Sequence, residues 1–376
     1  MSARWKVLLI ALMSLALMFG YLKRLLPGWQ LHDFERLHIF LFNMVAGGTI
    51  LLHYSERRAG RRDKRFSRRV TAYLVLGTAF TLAVYFDRYI IAMALLVPLA
   101  VIVESVRMRL FPAFPMDFFR TAVPVWRKFH HASILCLSIA LLFSGLVVLN
   151  HRYLKLVSLP ALELDDFFLG FSFPLSLITM SVMFESMRRD FGRLVSILRH
   201  ASFWAVNLGV IVFFVFIVVS NRNAELIMAL LLTATVVVIF VLFVGHERNV
   251  QQEAFFTSGM IFLLFTGVTG VLWVVLSYLP PNPGLSWLVL QVHAFAALYG
   301  WNLSGLAVVS RYEEFPIRLN SRFVLGFHWV TIVVLAPLGL YQRSIAVVAT
   351  LCYASLLVAV FFSPGHADER VAGGEA

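Results

Sequence analysis

Charged residues are scarce in this sequence. Asp, Glu, Lys and Arg make up 14% of the 376 residues, whereas hydrophobic residues make up 60%. The mean hydropathy is +0.83. This balance excludes an ordinary soluble domain and indicates a polytopic membrane protein.

Cysteines are few, and nucleotide-binding motifs are absent. The two cysteines, Cys136 and Cys352, both fall inside apolar runs, where a thiol behaves as a small hydrophobic group. A disulfide framework and a thiolate metal site are therefore not expected. The sequence contains no P-loop, no nucleotide fingerprint and no metal-type CxxC pair, so we expect no bound nucleotide and no ATP-driven transport by this chain alone.

What the sequence has in abundance is long apolar runs. Runs of about 17 to 25 residues, bounded by charges or by Pro and Gly, predict about twelve transmembrane helices. The fold class is therefore an all-α polytopic membrane bundle, with a single domain over residues 1–363 and a disordered cytoplasmic tail over 364–376. The predicted helices begin near Lys6, Leu37, Val70, Tyr89, Phe129, Phe167, Ala201, Glu225, Ala254, Leu285, Phe323 and Ser344.

The basic residues predict the orientation. A cytoplasmic N-terminus places about three quarters of the 32 Lys and Arg residues on the inner side, as the positive-inside rule requires. Both termini are then cytoplasmic, in a bacterial inner (cytoplasmic) membrane. The net charge of +12 is attributed to topology and to contacts with anionic lipid head groups of the bilayer, not to nucleic acid.

One stretch, from Asp33 to Arg58, is expected to be the helix around which the bundle is built. It contains an apolar span with the pair Gly47-Gly48 and a histidine near each edge. His38 and His53 are fifteen residues apart, which on a helix places them nearly on one face and about 22 Å apart along the axis.

Histidines are the main candidates for chemistry, because ionisable groups inside a membrane are costly and often functional. Neutral imidazoles from two facing helices can hold a six-coordinate haem iron. The outer pair His38 and His293 is the first choice of ligands, and Arg36 could pair with a haem propionate. The alternatives in the inner leaflet are His53, His130, His131 and His328.

A structural explanation stays open for each of these residues. A histidine at a helix edge also caps carbonyls or lies among head groups, and His293 could form a hydrogen bond across the bundle. Small residues near His293 would admit a flat macrocycle, but they also allow two helices to pack closely. The small residues are Ala294, Ala296, Ala297 and Gly300.

Two stretches resemble a known family. VHAFAALYGWN, residues 292–302, and FERLHIFLFNMVAGG, residues 34–48, are similar to segments of the catalytic subunit of cbb-type haem-copper oxygen reductases. The resemblance implies a b-type haem with His38 and His293 at the positions of the low-spin ligands, and a partner in electron transfer. It covers about a tenth of the chain.

The sequence also departs from that family. The predicted sixth and seventh helices contain no histidine where the family binds copper, and the tenth has a single histidine where the family has two ligands. We therefore expect no copper site and no oxygen or nitric oxide reductase of the usual kind. The predicted depths of His38 and His293 also differ by about 10 Å.

Three functions remain open at this point. The first is a haem-binding protein of oxidase-like architecture, acting in electron transfer, haem handling or gas sensing. The second is a secondary transporter without a cofactor, favoured by internal breaks at Pro98, Pro174, Gly267, Gly270 and Pro337 and by a neutral path along Asn207, Thr233, Thr266, Thr269 and Asn302. The third is a structural subunit of a membrane complex.

Overall fold

The computed structural model is built almost entirely of helices. It describes residues 1–25, 34–61, 66–156, 160–187, 192–245, 253–312, 314–316, 319 and 321–367. Twelve long helices lie within these residues, one at each predicted position. They are α1 Ala3–Leu25, α2 34–58, α3 Arg68–Tyr85, α4 Tyr89–Leu110, α5 Val125–Leu154, α6 Pro160–Ser186, α7 Arg193–Val218, α8 Arg222–Val244, α9 Glu253–Leu276, α10 Pro283–Ser310, α11 Arg322–Gly339 and α12 Arg343–Phe362.

Ten of these described helices are long and apolar enough to cross a membrane. This result agrees with a polytopic helical bundle, while twelve membrane spans remain a prediction. Several helices begin later in the prediction than in the structure. The largest difference is at α7, which starts at Arg193 instead of near Ala201, because a first turn containing charged residues is not part of the apolar run.

Short elements complete the described part of the chain. Strand β1, Glu314–Pro316, pairs antiparallel with β2, Gly365–Ala367, so that Phe315 lies opposite His366. Residues 365–367 of the predicted disordered tail are thus paired. Its remainder, residues 368–376, lies outside the described part of the chain, and its disorder stays a prediction.

Contacts between helix ends show which helices begin and end at the same end of the bundle. The Lys6 ammonium lies 5.6 Å from the ring centre of Phe362, so α1 begins where α12 ends. At the opposite end, the Arg152 guanidinium lies 4.4 Å from the ring of Tyr89. We name the end that contains Lys6 the inner end, following the predicted orientation.

Helix α2 is the centre of the bundle, as expected from the sequence. Its apolar window is wholly buried, whereas that of α7 is 22% buried. Gly47 and Gly48 make this packing possible. A methyl group on Gly47 would collide with Leu175 of α6, and one on Gly48 would collide with Tyr73 of α3. The outer ring of helices instead exposes apolar side chains such as Ile227 and Val241, which suits contact with lipid.

Four described segments are wound as π-helix. They are Phe40–Gly47 in α2, Asn150–Leu154 at the end of α5, Ala296–Asn302 in α10 and Val330–Leu335 in α11. Such wide turns insert one residue into a helix and occur frequently at functional sites. The sequence analysis did not predict these segments.

The breaks expected in α4, α6 and α9 are not seen. Each of these helices continues through its proline or glycines: Pro98 in α4, Pro174 in α6, and Gly267 and Gly270 in α9. The glycines of α9 serve packing instead. A methyl group on Gly267 would lie 3.1 Å from Thr233, and one on Gly270 would lie 3.1 Å from the His293 ring.

The connection between α4 and α5 lies along the inner end. Arg107 of α4 donates hydrogen bonds of 2.9 Å to the carbonyls of Pro112 and Ala113. Phe114 and Phe119 in this connection are 71% and 67% exposed. Exposed aromatic side chains beside basic residues fit the predicted position in the membrane interface.

Candidate functional site

His38 lies in the first part of α2 and is nearly buried, with 8% of its surface exposed. Its Nδ1 forms a 2.8 Å hydrogen bond with the hydroxyl of Tyr299 in α10. Gly20 of α1 leaves the space that the imidazole fills, since a methyl group there would lie 3.4 Å from Nδ1. Arg36 lies two residues earlier and is half-buried.

Tyr299 of α10 contacts three other helices. Its hydroxyl bonds with His38, and its carbonyl accepts a 2.8 Å hydrogen bond from Nε2 of His328 in α11. Its ring centre lies 4.7 Å from that of Phe42 and 5.1 Å from that of Tyr353. Tyr299 has no exposed surface. The sequence did not single it out, although it belongs to the quoted stretch 292–302.

His293 is held by α9 instead. Its Nδ1 lies 2.9 Å from the carbonyl oxygen of Thr266, which can only accept a hydrogen bond, so Nδ1 donates. Nε2 therefore carries the lone pair of the neutral ring. On the same helix Phe295 packs against Tyr21 of α1, with ring centres 6.3 Å apart.

His38 and His293 have different hydrogen-bond partners. His293 contacts Thr266 of α9, whereas His38 contacts Tyr299, which lies six residues further along α10. Their shared ligation of a haem iron stays a prediction.

A second polar group lies further along α2, in its π segment. Asn43 is 1% exposed, and neither its amide nitrogen nor its amide oxygen has a hydrogen-bond partner among the described residues. Asn302, in the π segment of α10, donates a 2.9 Å hydrogen bond to Ser172 of α6, but its oxygen has no such partner.

These groups lie at a similar depth in the bundle. Helices α2, α6 and α10 all run toward the inner end, and Phe40 of α2 contacts Phe171 of α6, with ring centres 5.5 Å apart. Ser172 is the next residue and holds Asn302. Asn43, Ser172 and Asn302 thus form a polar layer within apolar surroundings.

His53, His130 and His131 lie toward the inner end and have separate neighbours. His130 forms a 2.8 Å hydrogen bond with Ser55 of α2. His131 lies 2.9 Å from Arg107 and stacks on Phe111, with ring centres 4.5 Å apart. His53 packs its ring against Phe66, at 4.9 Å. The adjacent residues His130 and His131 thus contact different groups.

The inner ends of α2, α5, α6 and α10 meet at one group of side chains, named here the inner-end cluster: Arg58, Trp126, Glu185 and Tyr312. Arg58 donates a 2.7 Å hydrogen bond to Glu185 and another to the Tyr312 hydroxyl. Its guanidinium lies 5.0 Å from the Trp126 ring centre and 5.1 Å from that of Tyr312. The sequence did not predict this cluster.

Polar groups therefore follow α2 along most of its length. At the α-helical rise, the interval from His38 to Glu56 would be about 27 Å, and it is somewhat shorter because Phe40–Gly47 is wound as π-helix; a bilayer core is about 30 Å thick. None of these polar side chains is more than 8% exposed. They are His38, Asn43, Thr49, His53, Ser55 and Glu56.

The neutral path suggested by the sequence is only partly assembled. Asn302 lies in the polar layer, and Thr266 and Thr269 lie beside His293. Asn207 instead donates a 2.8 Å hydrogen bond to the carbonyl of Phe203 in its own helix. The described residues contain no group of three or more His, Cys, Asp or Glu side chains placed to hold a metal ion.

Comparison with known proteins finds no matching family model and no matching curated protein.

Proposed function

We propose that this chain is a membrane permease that passes protons along α2. The observation that carries this proposal is the series of buried polar and ionisable groups on a helix whose apolar window is wholly buried. Ionisable groups inside a membrane are costly, and they commonly mark the paths of protons or solutes.

The outer part of the path is the pair His38 and Tyr299. An imidazole and a phenol can both give and accept a proton, and their 2.8 Å separation allows transfer between them. At the inner part, Ser55 links α2 to His130 at 2.8 Å. Glu56 and His53 complete that end of the path.

Asn43 lies between these parts. A buried amide without hydrogen bonds costs roughly 1 to 3 kcal/mol, so a guest that both donates and accepts would be stabilised there. Water satisfies both requirements, as does a small hydroxylated or amide solute. Ser55 lies twelve residues beyond Asn43, up to about 18 Å along the helix, so a chain of several waters that includes one at Asn43 would be needed to join the outer and inner groups.

Proton flux into liposomes tests this proposal. Purified protein in vesicles that enclose a pH-sensitive dye should acidify the interior when a potassium-diffusion potential, negative inside, is applied. Asn43→Leu should lower the flux at least tenfold without lowering the melting temperature, because leucine removes a buried amide that lacks hydrogen bonds. Flux no higher than in empty vesicles, or equal flux in Asn43→Leu, would contradict the proposal.

Asn207→Leu is the matched control. This residue is also an asparagine within a helix and is 8% exposed, but its amide bonds within α7, away from α2. Its replacement should leave the flux unchanged. An equal loss of flux in both variants would indicate a general defect of the bundle instead of a path at Asn43.

A second candidate function is haem binding by His38 or His293. A haem ligand usually fixes one ring nitrogen on an oxygen and offers the other to the metal. His293 meets this description, because Nδ1 donates to Thr266 and leaves Nε2 with its lone pair. The iron would supply reversible one-electron chemistry.

An optical spectrum tests this candidate. Protein expressed with a haem supply should show a Soret band that is lost in His38→Ala or His293→Ala and retained in His53→Ala, His130→Ala and His131→Ala. The reason is that losing an axial ligand removes most of the iron's binding energy. A parent protein without a Soret band, and without haem by pyridine haemochrome assay, would exclude this function.

A further inference from the structure

The inner-end cluster has the composition of a site for an organic cation. Trp126 and Tyr312 place two aromatic rings at about equal distances from the guanidinium carbon of Arg58, 5.0 and 5.1 Å. Glu185 supplies a carboxylate oxygen at 2.7 Å. Aromatic faces combined with a carboxylate attract a guanidinium or alkylammonium group by the ring quadrupole and by charge.

The cluster retains binding capacity that Arg58 does not use. The second carboxylate oxygen of Glu185, Oε2, is buried and has no hydrogen-bond partner among the described residues. The same holds for the hydroxyl of Tyr54, a residue that is 1% exposed. The Tyr54 ring lies 5.1 Å from that of Tyr312, and its hydroxyl is close enough to interact electrostatically with Arg58 and Glu185. A donor-rich ligand could satisfy both groups.

Comparison with Arg107 shows what a purely structural arginine looks like in the same molecule. The Arg107 side chain is 5% exposed. It bonds to Glu104, to His131 and to the carbonyls of Pro112 and Ala113. Arg107 therefore fastens the connection that follows α4.

Arg58 differs from Arg107 in two respects. It is the last residue of α2, and both its side chain and that of Glu185 are 23% exposed. Water therefore reaches one side of this ion pair, which makes it easier to open than a fully buried pair. The Arg58 side chain can leave the cluster into water when another cation takes its place beside Glu185.

We propose that the inner-end cluster binds a small organic cation, of the guanidinium or alkylammonium class, and that Arg58 occupies this site as an internal substitute in the present conformation. The ligand would take the place of the Arg58 guanidinium between Trp126 and Tyr312 and pair with Glu185. The charge of the site is unchanged by the exchange, because one cation replaces another. The proposal concerns binding alone, so it does not depend on proton transport.

Calorimetric titration of the full-length protein in nanodiscs tests the proposal, with methylguanidinium and tetramethylammonium as probes. The wild type should bind at least one probe saturably, with a dissociation constant in the millimolar range. Arg58→Gln should bind it at least tenfold more tightly, because the internal competitor is gone. Glu185→Gln should lose binding of both probes. Trp126→Leu should raise the dissociation constant of tetramethylammonium at least tenfold.

Glu104→Gln is the matched control. It also removes the carboxylate of an arginine pair, but outside the cluster, and it should bind as the wild type does. Binding that appears only in Arg58→Gln would show that Arg58 is a permanent structural partner and would overturn the proposal. No binding to either the wild type or Arg58→Gln, with both proteins monodisperse, would overturn it as well.

Discussion

A phenol hydroxyl buried in a membrane protein costs free energy unless it has a hydrogen-bond partner, and Tyr299 finds that partner in His38. The carbonyl oxygen of Tyr299 also accepts a hydrogen bond from His328. Only the bond with His38 uses the hydroxyl. A change from tyrosine to phenylalanine therefore separates the contact with His38 from the packing of the ring.

Tyr299→Phe should lower proton flux severalfold and destabilise the protein by about 1 kcal/mol, the usual net contribution of one hydrogen bond. Flux in proteoliposomes and thermal unfolding in detergent measure the two effects. Tyr153→Phe is the control, because Tyr153 is 48% exposed near the outer end. A variant with reduced stability but unchanged flux would make Tyr299 a structural residue only.

Some site residues could be predicted from the sequence, and others could not. His38 is conspicuous because an ionisable residue within an apolar run is unusual and costly. Tyr299 is not, since tyrosine occurs commonly at packed and interfacial positions. The sequence predicts different depths for His38 and His293, but the direction in which each ring points depends on packing against α1 and α9, which sequence spacing does not define.

At the scale of elements, a long helix lies at each predicted position in the described part of the chain, and ten of these helices are long and apolar enough to cross a membrane, because long apolar runs identify membrane helices well. The π segments were not predicted. One extra residue in a turn leaves the apolar run unchanged, so hydropathy carries no trace of it. In α9, Gly267 and Gly270 were interpreted as breaks, whereas they accommodate Thr233 and His293. A glycine in a sequence does not reveal whether it bends a helix or admits a neighbour.

The packing of α2 leads to a prediction about Gly47. Its missing side chain admits Leu175, and a methyl group would overlap that residue. Gly47→Ala should therefore destabilise the protein by about 1 to 3 kcal/mol, the usual cost of overpacking. Gly326→Ala in α11 is the control, since nothing lies within 4 Å of its added methyl group. Equal thermal unfolding of the two variants would show that α2 is packed more loosely than described.

At the scale of the whole molecule, the alternation of helix ends and the orientation in the membrane are separate matters. The alternation follows from contacts: Arg58 at the end of α2 touches Trp126 at the start of α5, so the loops near Gly60 and Arg120 lie at one end. The orientation is a prediction from charge, since basic residues between Arg57 and Arg69 favour the cytoplasm. One experiment can test both.

Reporter fusions after Gly60, Arg120 and Arg193 should report the cytoplasm, and a fusion after Pro281 should report the outer side. The fusions after Gly60 and Arg120 must report the same side as each other, because the inner-end cluster joins the helices next to them. Pro281 must differ from them, because α10 runs from that loop to Tyr312 in the cluster. Disagreement between Gly60 and Arg120 would contradict the fold. Agreement on the outer side would leave the fold intact but reverse the orientation, and the cation site would then face outward.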